Sequence, residues 1–331
     1  MARKLSFVLF FFVASLGMAQ APAVKAPPGT AALVNGQAVT ESAVQRSLER
    51  IPPERRAAAR PELINHLIDN MLVDQYLMQQ KVVADVAEID KRHGLMKAEI
   101  VKQGKDYAKM LEELKLTDAE LKEHISAEIR WEKYVDSQAT DKALQEIFEQ
   151  NKEVFNGASV RARHILLTVS PSDEVEMEKA RVQLLSYKKQ VEDTVKTEMA
   201  KLPPTTDNLT KEKARIAILD ESFAIIAKDK STCPSKDQGG DVGWFTRDGV
   251  MVENFSRTAF GLPPYILSDP VKTQFGYHLI LTTEKKAGKE VKFDDLKGEA
   301  KEYFAEKLRE RMAEHVRKFS KITIFPAPAG I

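Results

Sequence analysis

Two histidines and the only cysteine are the residues of this chain whose types could do chemistry. His164 lies in the strand-like run VRARHILLTV, His278 lies in the strand-like run KTQFGYHLILT, and Cys233 begins the glycine-rich run CPSKDQGGDVGWF. A lone histidine in a strand is more often a hydrogen-bonded core residue than a catalyst, and a lone thiol is more often a small buried hydrophobe than a reactive group. Gly276, in the middle of the second strand, indicates a bulge or a close backbone approach. These patterns leave open whether His278 is structural or belongs to a site.

The remaining candidate residues do not indicate a metal or nucleotide site. The glycine-rich run lacks the Gly-Lys-Ser/Thr of a phosphate-binding loop, so nucleotide binding is not expected. The other histidines stand in polar, helical segments without metal-ligand spacing: His66, His93, His124 and His315. We therefore predict no metal and no small-molecule cofactor.

Four motifs taken in order are much more specific than any single residue. RHILL, CPSKDQGGDVGWF, MVENFSRTAF and DPVKTQFGYHLI follow one another between residues 160 and 286. In that order they resemble the parvulin family of peptidyl-prolyl cis–trans isomerases. The resemblance implies a small antiparallel sheet with surrounding helices, and it implies isomerase activity on the peptide bond that precedes proline.

The resemblance also implies roles for individual residues. Four would form the catalytic group, with the histidines as a pair beneath the substrate proline: His164, His278, Thr273 and Cys233. Five would contact the proline: Met251, Phe255, Val242, Phe245 and Phe260. Without the flanking motifs, the four-residue spacing of Met251 and Phe255 would instead indicate the core face of a helix. We expect Cys233 to act electrostatically near the substrate carbonyl and not as a nucleophile.

Three functions compete for this pattern. The leading prediction is a peptidyl-prolyl isomerase that assists the folding of exported proteins. The alternative is a chaperone whose parvulin domain is catalytically silent and serves to bind clients. A third possibility is a Cys–His hydrolase, which would need the Cys233 thiol to be activated by an adjacent base.

The elements that must position these residues are helical on both sides of the β-rich stretch. Asn35-Gly36 predicts a β-hairpin over 32–40, and helix is expected from there to about residue 155, with N-caps at Thr117 and Thr140. From Phe293 to about Ser320 apolar residues recur every four positions, which predicts an amphipathic helix. Nothing adjacent in sequence covers its apolar stripe, so we expect it to pack back on the N-terminal helices.

These observations predict an α+β protein in which a parvulin-like domain is inserted in a mainly helical one. The flanks resemble the exported SurA/PrsA-type foldases. The expected divisions are a signal peptide at 1–19, a linker at 20–31, a helical chaperone-like domain at 32–157, the isomerase domain at 158–288, and a returning helix and strand at 289–331.

Two departures from the family pattern stand out. Cys233 follows His164 by 69 residues, where parvulins usually have about half as many, and the extra residues predict an extended helical hairpin at about 174–228. Tyr265 occupies a turn in which the family tends to have glycine. The loop after the first strand, TVSPSDEVEMEK, is acidic, so no preference for phosphorylated clients is expected.

The N-terminal sequence and the net charge limit which compartment and which partners can be expected. Arg3 and Lys4 precede an apolar run from Leu5 to Leu16, a pattern typical of a secretory signal peptide, which predicts an exported protein in the periplasm, with secretion or the cell surface as alternatives. The chain has 50 basic and 49 acidic residues, so nucleic acid is not an expected partner. The expected partners are unfolded or partly folded polypeptides that contain proline, and membrane association is not indicated after signal cleavage.

Overall fold

The computed structural model describes residues 26–170, 173–249 and 251–327. The predicted signal peptide and the first half of the predicted linker, residues 20–25, lie outside the described residues. The chain forms two compact units, one made of the residues up to Ser137 and from Lys307 onward, the other of Gln138–Glu306. No helix within the described residues combines the length and apolarity that a membrane crossing requires.

The first unit contains a three-stranded antiparallel sheet. Strand β1 (Thr30–Val34) pairs on one side with β2 (Gln37–Thr40) and on the other with β7 (Ile322–Ile324). Asn35 and Gly36 form the predicted hairpin turn, and both have positive φ angles, 53° and 89°. The side-chain Nδ2 of Asn35 donates to Gln75, and its side-chain Oδ1 accepts from the Lys321 N–H. The turn is therefore also hydrogen-bonded to the residue that precedes β7.

Five helices complete the N-terminal part of this unit: α1 (Glu41–Glu49), α2 (Pro53–Gln79), α3 (Val86–Lys102), α4 (Tyr107–Glu113) and α5 (Asp118–Gln138). The predicted capping box is present, because Thr117 and Glu120 exchange hydrogen bonds at the start of α5. The fully buried face of α2 is formed by Ile64, Ile68 and Leu72. Among the apolar residues that recur along α2, Leu72 is fully buried, whereas Leu63, Leu67 and Met71 are only partly buried beside that face.

The C-terminal helix α11 (Lys297–Arg317) contributes its second half to this unit. Met312 and Ala313 are buried in one cluster with Val73 and Leu77 of α2. The amphipathic stripe therefore returns to an N-terminal helix, as its lack of a sequence neighbour predicted. The helix begins four residues after Phe293, because Phe293–Asp295 forms a separate 3-10 turn.

The second unit is built on a four-stranded antiparallel sheet in the order β4-β3-β6-β5. Its strands are β3 (Ser159–Thr168), β4 (Asp241–Thr246), β5 (Val271–Thr273) and β6 (Gly276–Lys286). Its helices are α6 (Asp141–Gln150), α7 (Lys152–Phe155), α8 (Glu174–Met199), α9 (Asn208–Lys230) and α10 (Glu253–Gly261), followed by the first half of α11. The predicted combination of helices with small antiparallel sheets is confirmed.

Side chains alternate between the two faces of this sheet. On one face, Ile165, Leu279 and Leu281 pack against α8 and α9. On the other face, Val160, Ala162 and Ile280 pack against Phe255 and Ala259 of α10. The histidines of β3 and β6 lie on this second face, so α10 is the helix that covers them.

The second unit is wider than the predicted isomerase domain of 158–288. It also includes α6, α7 and the start of α11. Four aromatic rings join these elements to one another: Phe148 of α6 contacts Phe155 and Phe293, and Phe155 contacts Tyr303 of α11, with centroids 5.2 to 5.8 Å apart. Sequence motifs could not reveal this, since none of these residues belongs to a parvulin motif.

Helices α8 and α9 form the predicted extended hairpin. Leu184, Tyr187 and Val191 pack against Leu219 and Phe223 near its base. From residue 192 to residue 218 no side chain is fully buried, so the distal half projects from the domain. The break between the helices ends at Asp207, whose carboxylate accepts from the Thr210 N–H as an N-cap.

Candidate active site

Strands β3 and β6 bring His164 and His278 into contact. In the antiparallel register His164 is opposite Ile280 and His278 is opposite Leu166, so the two histidines are diagonal neighbours on one face. Their Nδ1 atoms are 3.0 Å apart, and the rings are nearly parallel with centroids 5.3 Å apart. Two residues 114 positions apart in sequence therefore form one hydrogen-bonded pair.

The outer nitrogen of each histidine is also hydrogen-bonded. His164 Nε2 is 3.0 Å from Ser235 Oγ, and His278 Nε2 is 2.8 Å from Thr273 Oγ1. The Thr273 oxygen accepts a further hydrogen bond from the Phe275 N–H. The result is a linear chain of four side chains, Ser235–His164–His278–Thr273, that crosses the sheet beneath α10.

Burial keeps both histidines neutral. Each ring is about 95% buried, and loss of hydration lowers the pKa of His164 to about 4. Burial, and to a smaller extent the neighbouring His164, lower the pKa of His278 to about 3. A neutral imidazole has one N–H and one acceptor nitrogen, so one Nδ1 donates to the other.

That single shared hydrogen gives the whole chain one direction. If His164 Nδ1 donates, then Ser235 donates to His164 Nε2, and His278 donates to Thr273. In the opposite arrangement Thr273 donates to His278, and Ser235 accepts from His164. Only the second arrangement leaves the Ser235 hydroxyl hydrogen for a molecule outside the chain.

An apolar group covers the histidine pair. The Phe255 ring lies edge-on to both imidazoles, with a centroid distance of 5.4 Å to each, and it is almost fully buried. Val242 and Met251 pack against the same cluster but stay partly exposed. These three side chains bound an apolar space above a neutral, hydrogen-bonded floor.

Phe245 and Phe260 lie further from the histidines. Phe245 contacts Phe255, and Phe260 contacts Phe245, with centroids 5.8 and 6.2 Å apart. Both are buried in the cluster beneath α10. Their positions are those of a layer that supports Phe255.

Two glycines are required where backbone passes close to the site. A Cβ on Gly240 would lie 2.3 Å from the His164 carbonyl oxygen, and a Cβ on Gly276 would lie 2.1 Å from that of Leu167. Both residues also have positive φ angles, 81° and 129°. The close approach expected at Gly276 is therefore present, and Gly240 plays the same part for the loop that carries Ser235.

Hydrogen bonds of the two preceding residues, Ser231 and Thr232, position Cys233. Ser231 Oγ accepts from the Leu166 N–H and from the Cys233 N–H, and the Thr232 N–H donates to the Leu166 carbonyl. This fastens the segment to β3, and Cys233 then begins a 3-10 turn, Pro234–Gln238, with its thiol partly exposed. The four nitrogens of the histidine pair are hydrogen-bonded to one another, to Ser235 and to Thr273, so neither histidine is paired with the thiol as a Cys–His hydrolase would need.

An open pocket adjoins this site. It is lined by Pro234, Ser235, Gln238, Asp241, Val242 and Gly243. Asp241 is oriented there by Arg161, which donates to its carboxylate at 2.6 Å, and by the Gly243 N–H. These hydrogen bonds hold the pKa of the Asp241 carboxyl below its usual value although partial burial opposes them. Over the described residues no group of three or more His, Cys, Asp or Glu could hold a metal ion.

Sequence reasoning missed four of the polar residues that organise the site. Ser235, rather than Cys233, is hydrogen-bonded to His164, and Ser231 positions both Cys233 and β3. Buried Arg247 forms a bidentate pair with Glu253 at the start of α10. Ser235 follows Cys233 by two residues in a recognised motif, so its place in CPS was the one available signal.

Comparison with known proteins identifies a family for the second unit. Residues 203–284 match the model of the PPIC-type peptidyl-prolyl isomerase (rotamase) domain. PrsA, a foldase of Bacillus subtilis, is 46% identical over 104 residues, which cover 30% of this chain and 34% of PrsA.

A second relative extends over most of the chain. Cbf2 of Campylobacter jejuni, named as a peptidyl-prolyl cis–trans isomerase, is 30% identical over 275 residues, covering 81% of this chain and 80% of Cbf2. Among solved structures, PrsA of Bacillus anthracis matches with 22% identity and a TM-score of 0.40, covering 75% of this chain and 94% of that one.

Proposed function

This chain belongs to the parvulin-type family of peptidyl-prolyl cis–trans isomerases, and we propose that its isomerase site is the apolar space bounded by Val242, Met251 and Phe255 above the His164–His278 pair. The chain is an isomerase that assists protein folding. The observation that carries the site assignment is the four-membered hydrogen-bonded chain beneath Phe255.

The reaction requires rotation and no bond cleavage. The rotational barrier of a peptide bond is roughly 18–20 kcal/mol, and uncatalysed prolyl isomerisation takes tens to hundreds of seconds. A foldase that works in tens of milliseconds must accelerate it about 10⁴-fold, which corresponds to roughly 5.5 kcal/mol of transition-state stabilisation. Binding that favours the twisted amide can supply this amount without a covalent intermediate.

The residues would have two roles, which are to hold the proline ring and to set the polarity around the amide. Val242, Met251 and Phe255 would hold the pyrrolidine ring, which leaves the preceding carbonyl as the moving group. In the twisted amide, conjugation is lost and the nitrogen becomes pyramidal. Ser235, and Cys233 at the edge of the turn, would present polar groups to the rotating carbonyl, while the neutral histidines fix the direction in which Ser235 donates or accepts.

Isomerisation of a proline peptide by the full chain tests this assignment. We expect Phe255→Ala to lower kcat/KM at least tenfold, because it removes the ring that covers both histidines. Phe223→Ala is the matched control: it empties an equally buried site on the opposite face of the same sheet and should leave kcat/KM within twofold at a temperature where both variants are folded. A rate equal to the spontaneous one for the wild type would favour the silent, client-binding alternative.

We further propose that the chain is exported and that clients are unfolded polypeptides containing proline. Export is supported by the basic start at Arg3 and Lys4 and the apolar run that follows. The helical first unit would retain clients, and its α3 supports this because it has no fully buried residue and exposes Leu95, Met96 and Val101. Suppression of client aggregation by the full chain should fall at least twofold when these three are changed together to Ser, with kcat/KM for a short peptide unchanged.

A further inference from the structure

Arg163 connects the extended helical hairpin to the 3-10 turn beside the histidine pair. It precedes His164 in β3, so its side chain points to the opposite face of the sheet, where α9 lies. Its Nε and Nη2 donate to the two carboxylate oxygens of Asp220 in α9, at 2.8 and 3.0 Å. Its Nη1 donates to the carbonyls of Gln238 and Gly239, at 3.0 and 3.2 Å. One guanidinium group therefore joins a helix of the hairpin to the end of the turn.

Direct packing joins the same two elements. A Cβ on Gly239 would lie 2.7 Å from the Cβ of Ala224, and a Cβ on Gly240 would lie 3.1 Å from the Cβ of Ala227. Ala224 and Ala227 follow Asp220 by four and seven residues, so all three lie along one side of α9. The backbone of the turn is therefore seated directly on α9, with no side chain between them at these two glycines.

Gly240 connects this seat to the site. Its N–H donates to the Ser235 carbonyl, and its own carbonyl accepts from the His164 N–H, both at 2.9 Å. The Ser235 hydroxyl is in turn 3.0 Å from His164 Nε2. A displacement of Gly240 would therefore change the distance between the Ser235 hydroxyl and the imidazole, and hydrogen bonds weaken steeply when their geometry is lost.

The Arg163–Asp220 pair is partly shielded from water. The two side chains are 19% and 32% exposed, and the carboxylate is held by both of its oxygens. Bidentate pairs of this kind fix geometry as well as charge, whereas an exposed single contact does not. The pair is therefore suited to holding α9 and the turn in one arrangement.

We propose that Arg163 is a positioning residue for the isomerase reaction, which holds the Ser235 hydroxyl against His164 and makes its position depend on helix α9. The inference rests on the proposed isomerase site, in which Ser235 faces the rotating carbonyl. Met251 and Phe255 belong to other elements, so binding of the proline ring does not require Arg163. Loss of Arg163 should then slow the rotation step and leave substrate binding nearly intact.

The test measures kcat and KM separately for the full-length protein with a proline peptide, by NMR exchange. Arg163→Met keeps the apolar stem and removes the guanidinium, and we expect kcat to fall about fivefold with KM within about twofold of wild type. Arg163→Lys should give an intermediate kcat, because an ammonium group cannot bind both carboxylate oxygens and the two carbonyls at once. Asp220→Asn should lower kcat about twofold, since one acceptor oxygen remains.

A double-mutant cycle with Ser235→Ala separates positioning from a structural role. If Arg163 acts through the hydroxyl, Arg163→Met should lower kcat by less than about twofold once Ser235 is alanine. A merely structural role would lower stability in both backgrounds and leave kcat unchanged at a temperature where the variants are folded.

Arg215→Met is the matched control, because Arg215 also lies in α9 and binds a carboxylate and a backbone carbonyl, those of Glu212 and Tyr265. It should leave kcat unchanged. A wild-type kcat in Arg163→Met, a raised KM alone, or a fivefold loss that persists in Ser235→Ala would overturn the inference. Should Arg163→Met not fold, Arg163→Lys and Asp220→Asn carry the same comparisons. Failure of the proposed isomerase site would look different, since Ser235→Ala would then keep the wild-type kcat/KM.

Discussion

The Ser235 hydroxyl, not the Cys233 thiol, is the group hydrogen-bonded to His164, at 3.0 Å from its Nε2. The two residues are separated only by Pro234, and both stand at the 3-10 turn that begins after β3-bound Ser231 and Thr232. The hydroxyl completes the chain that runs through both histidines to Thr273, whereas the thiol lies at its edge.

Ser235→Ala should therefore impair the site more than Cys233→Ala. Removing the hydroxyl leaves a buried imidazole nitrogen without its partner, which costs about 1–3 kcal/mol of stability. In the proposed site it also removes the polar group nearest the rotating carbonyl, so we expect kcat/KM to fall about tenfold. Cys233→Ala should change stability by less than about 1 kcal/mol, and Cys233→Ser should be close to wild type. Chemical unfolding and peptide isomerisation of the three variants measure both effects, and equal losses in all three would contradict the assignment.

The neutral histidine pair predicts acid sensitivity of the fold. The unfolded histidines bind protons below their ordinary pKa of about 6.5, whereas the folded ones resist protonation until about pH 4 for His164 and about pH 3 for His278. Between these values the unfolded state binds more protons, so stability is constant above about pH 6.5 and falls as the pH falls below it. At pH 5 the pair should cost roughly 2–4 kcal/mol relative to pH 7.5.

Urea unfolding at several pH values measures this dependence. The double variant His164→Gln and His278→Gln should show a shallower fall between pH 6.5 and pH 5, although it is less stable at pH 7.5. The same neutrality predicts that kcat/KM of the wild type does not titrate between pH 6.5 and pH 8. A kcat/KM that titrates with a pKa near 7 would contradict this prediction, because it would show that an essential group of the free enzyme ionises in that range.

Replacing glycines by alanine should lower stability by different amounts, depending on how closely other backbone atoms approach the glycine. Gly249 has a φ of 100° with open space around it, so Gly249→Ala reports only the cost of a left-handed backbone, about 1–2 kcal/mol. Gly276→Ala adds a clash with the Leu167 carbonyl and should cost at least about 2 kcal/mol more than Gly249→Ala. Thermal unfolding of the two variants separates the effects, and equal losses would show that β3 can move away from Gly276.

Much of this architecture follows from local sequence. Asn35-Gly36 specifies its turn, and the alternation of β3 and β6 puts His164 and His278 on one face because side chains in strands alternate. Even the absence of glycine at Tyr265 has a local answer: Tyr265 takes a φ of 58°, its N–H donates to the Thr282 carbonyl, and its ring packs on the core beneath α8 and α9.

The hydrogen-bond partners of polar side chains could not be predicted from local sequence in the same way. Periodicity assigns residues to faces, but it does not decide whether a histidine meets Cys233 or Ser235, since that depends on the direction of one 3-10 turn. Periodicity also does not decide which of two adjacent apolar residues is fully buried: in α2, Leu63 is partly buried and Ile64 is buried, and only the surrounding structure determines this.

Arg247 and Glu253 brace the wall of the proposed proline pocket. The Arg247 guanidinium is buried and donates two hydrogen bonds, of 2.9 and 2.7 Å, to the carboxylate of Glu253 in the first turn of α10. The Arg247 carbonyl accepts from the buried Ser256 hydroxyl. Met251 lies in the segment closed by this pair, and Phe255 lies one half-turn beyond it, so the ion pair fixes both residues relative to β4.

Glu253→Gln should destabilise the protein by roughly 3 kcal/mol, because it leaves the Arg247 charge buried without its counter-ion. Loss of the brace should also raise KM more than it lowers kcat, since the pocket would still contain all of its apolar side chains but in a less ordered arrangement. Arg257→Ala is the control: Arg257 is exposed and 4.0 Å from the same carboxylate, so it should change stability by less than about 0.5 kcal/mol. If Glu253→Gln bound peptides as tightly as the wild type while being less stable, the pair would serve the fold alone and would not order the pocket.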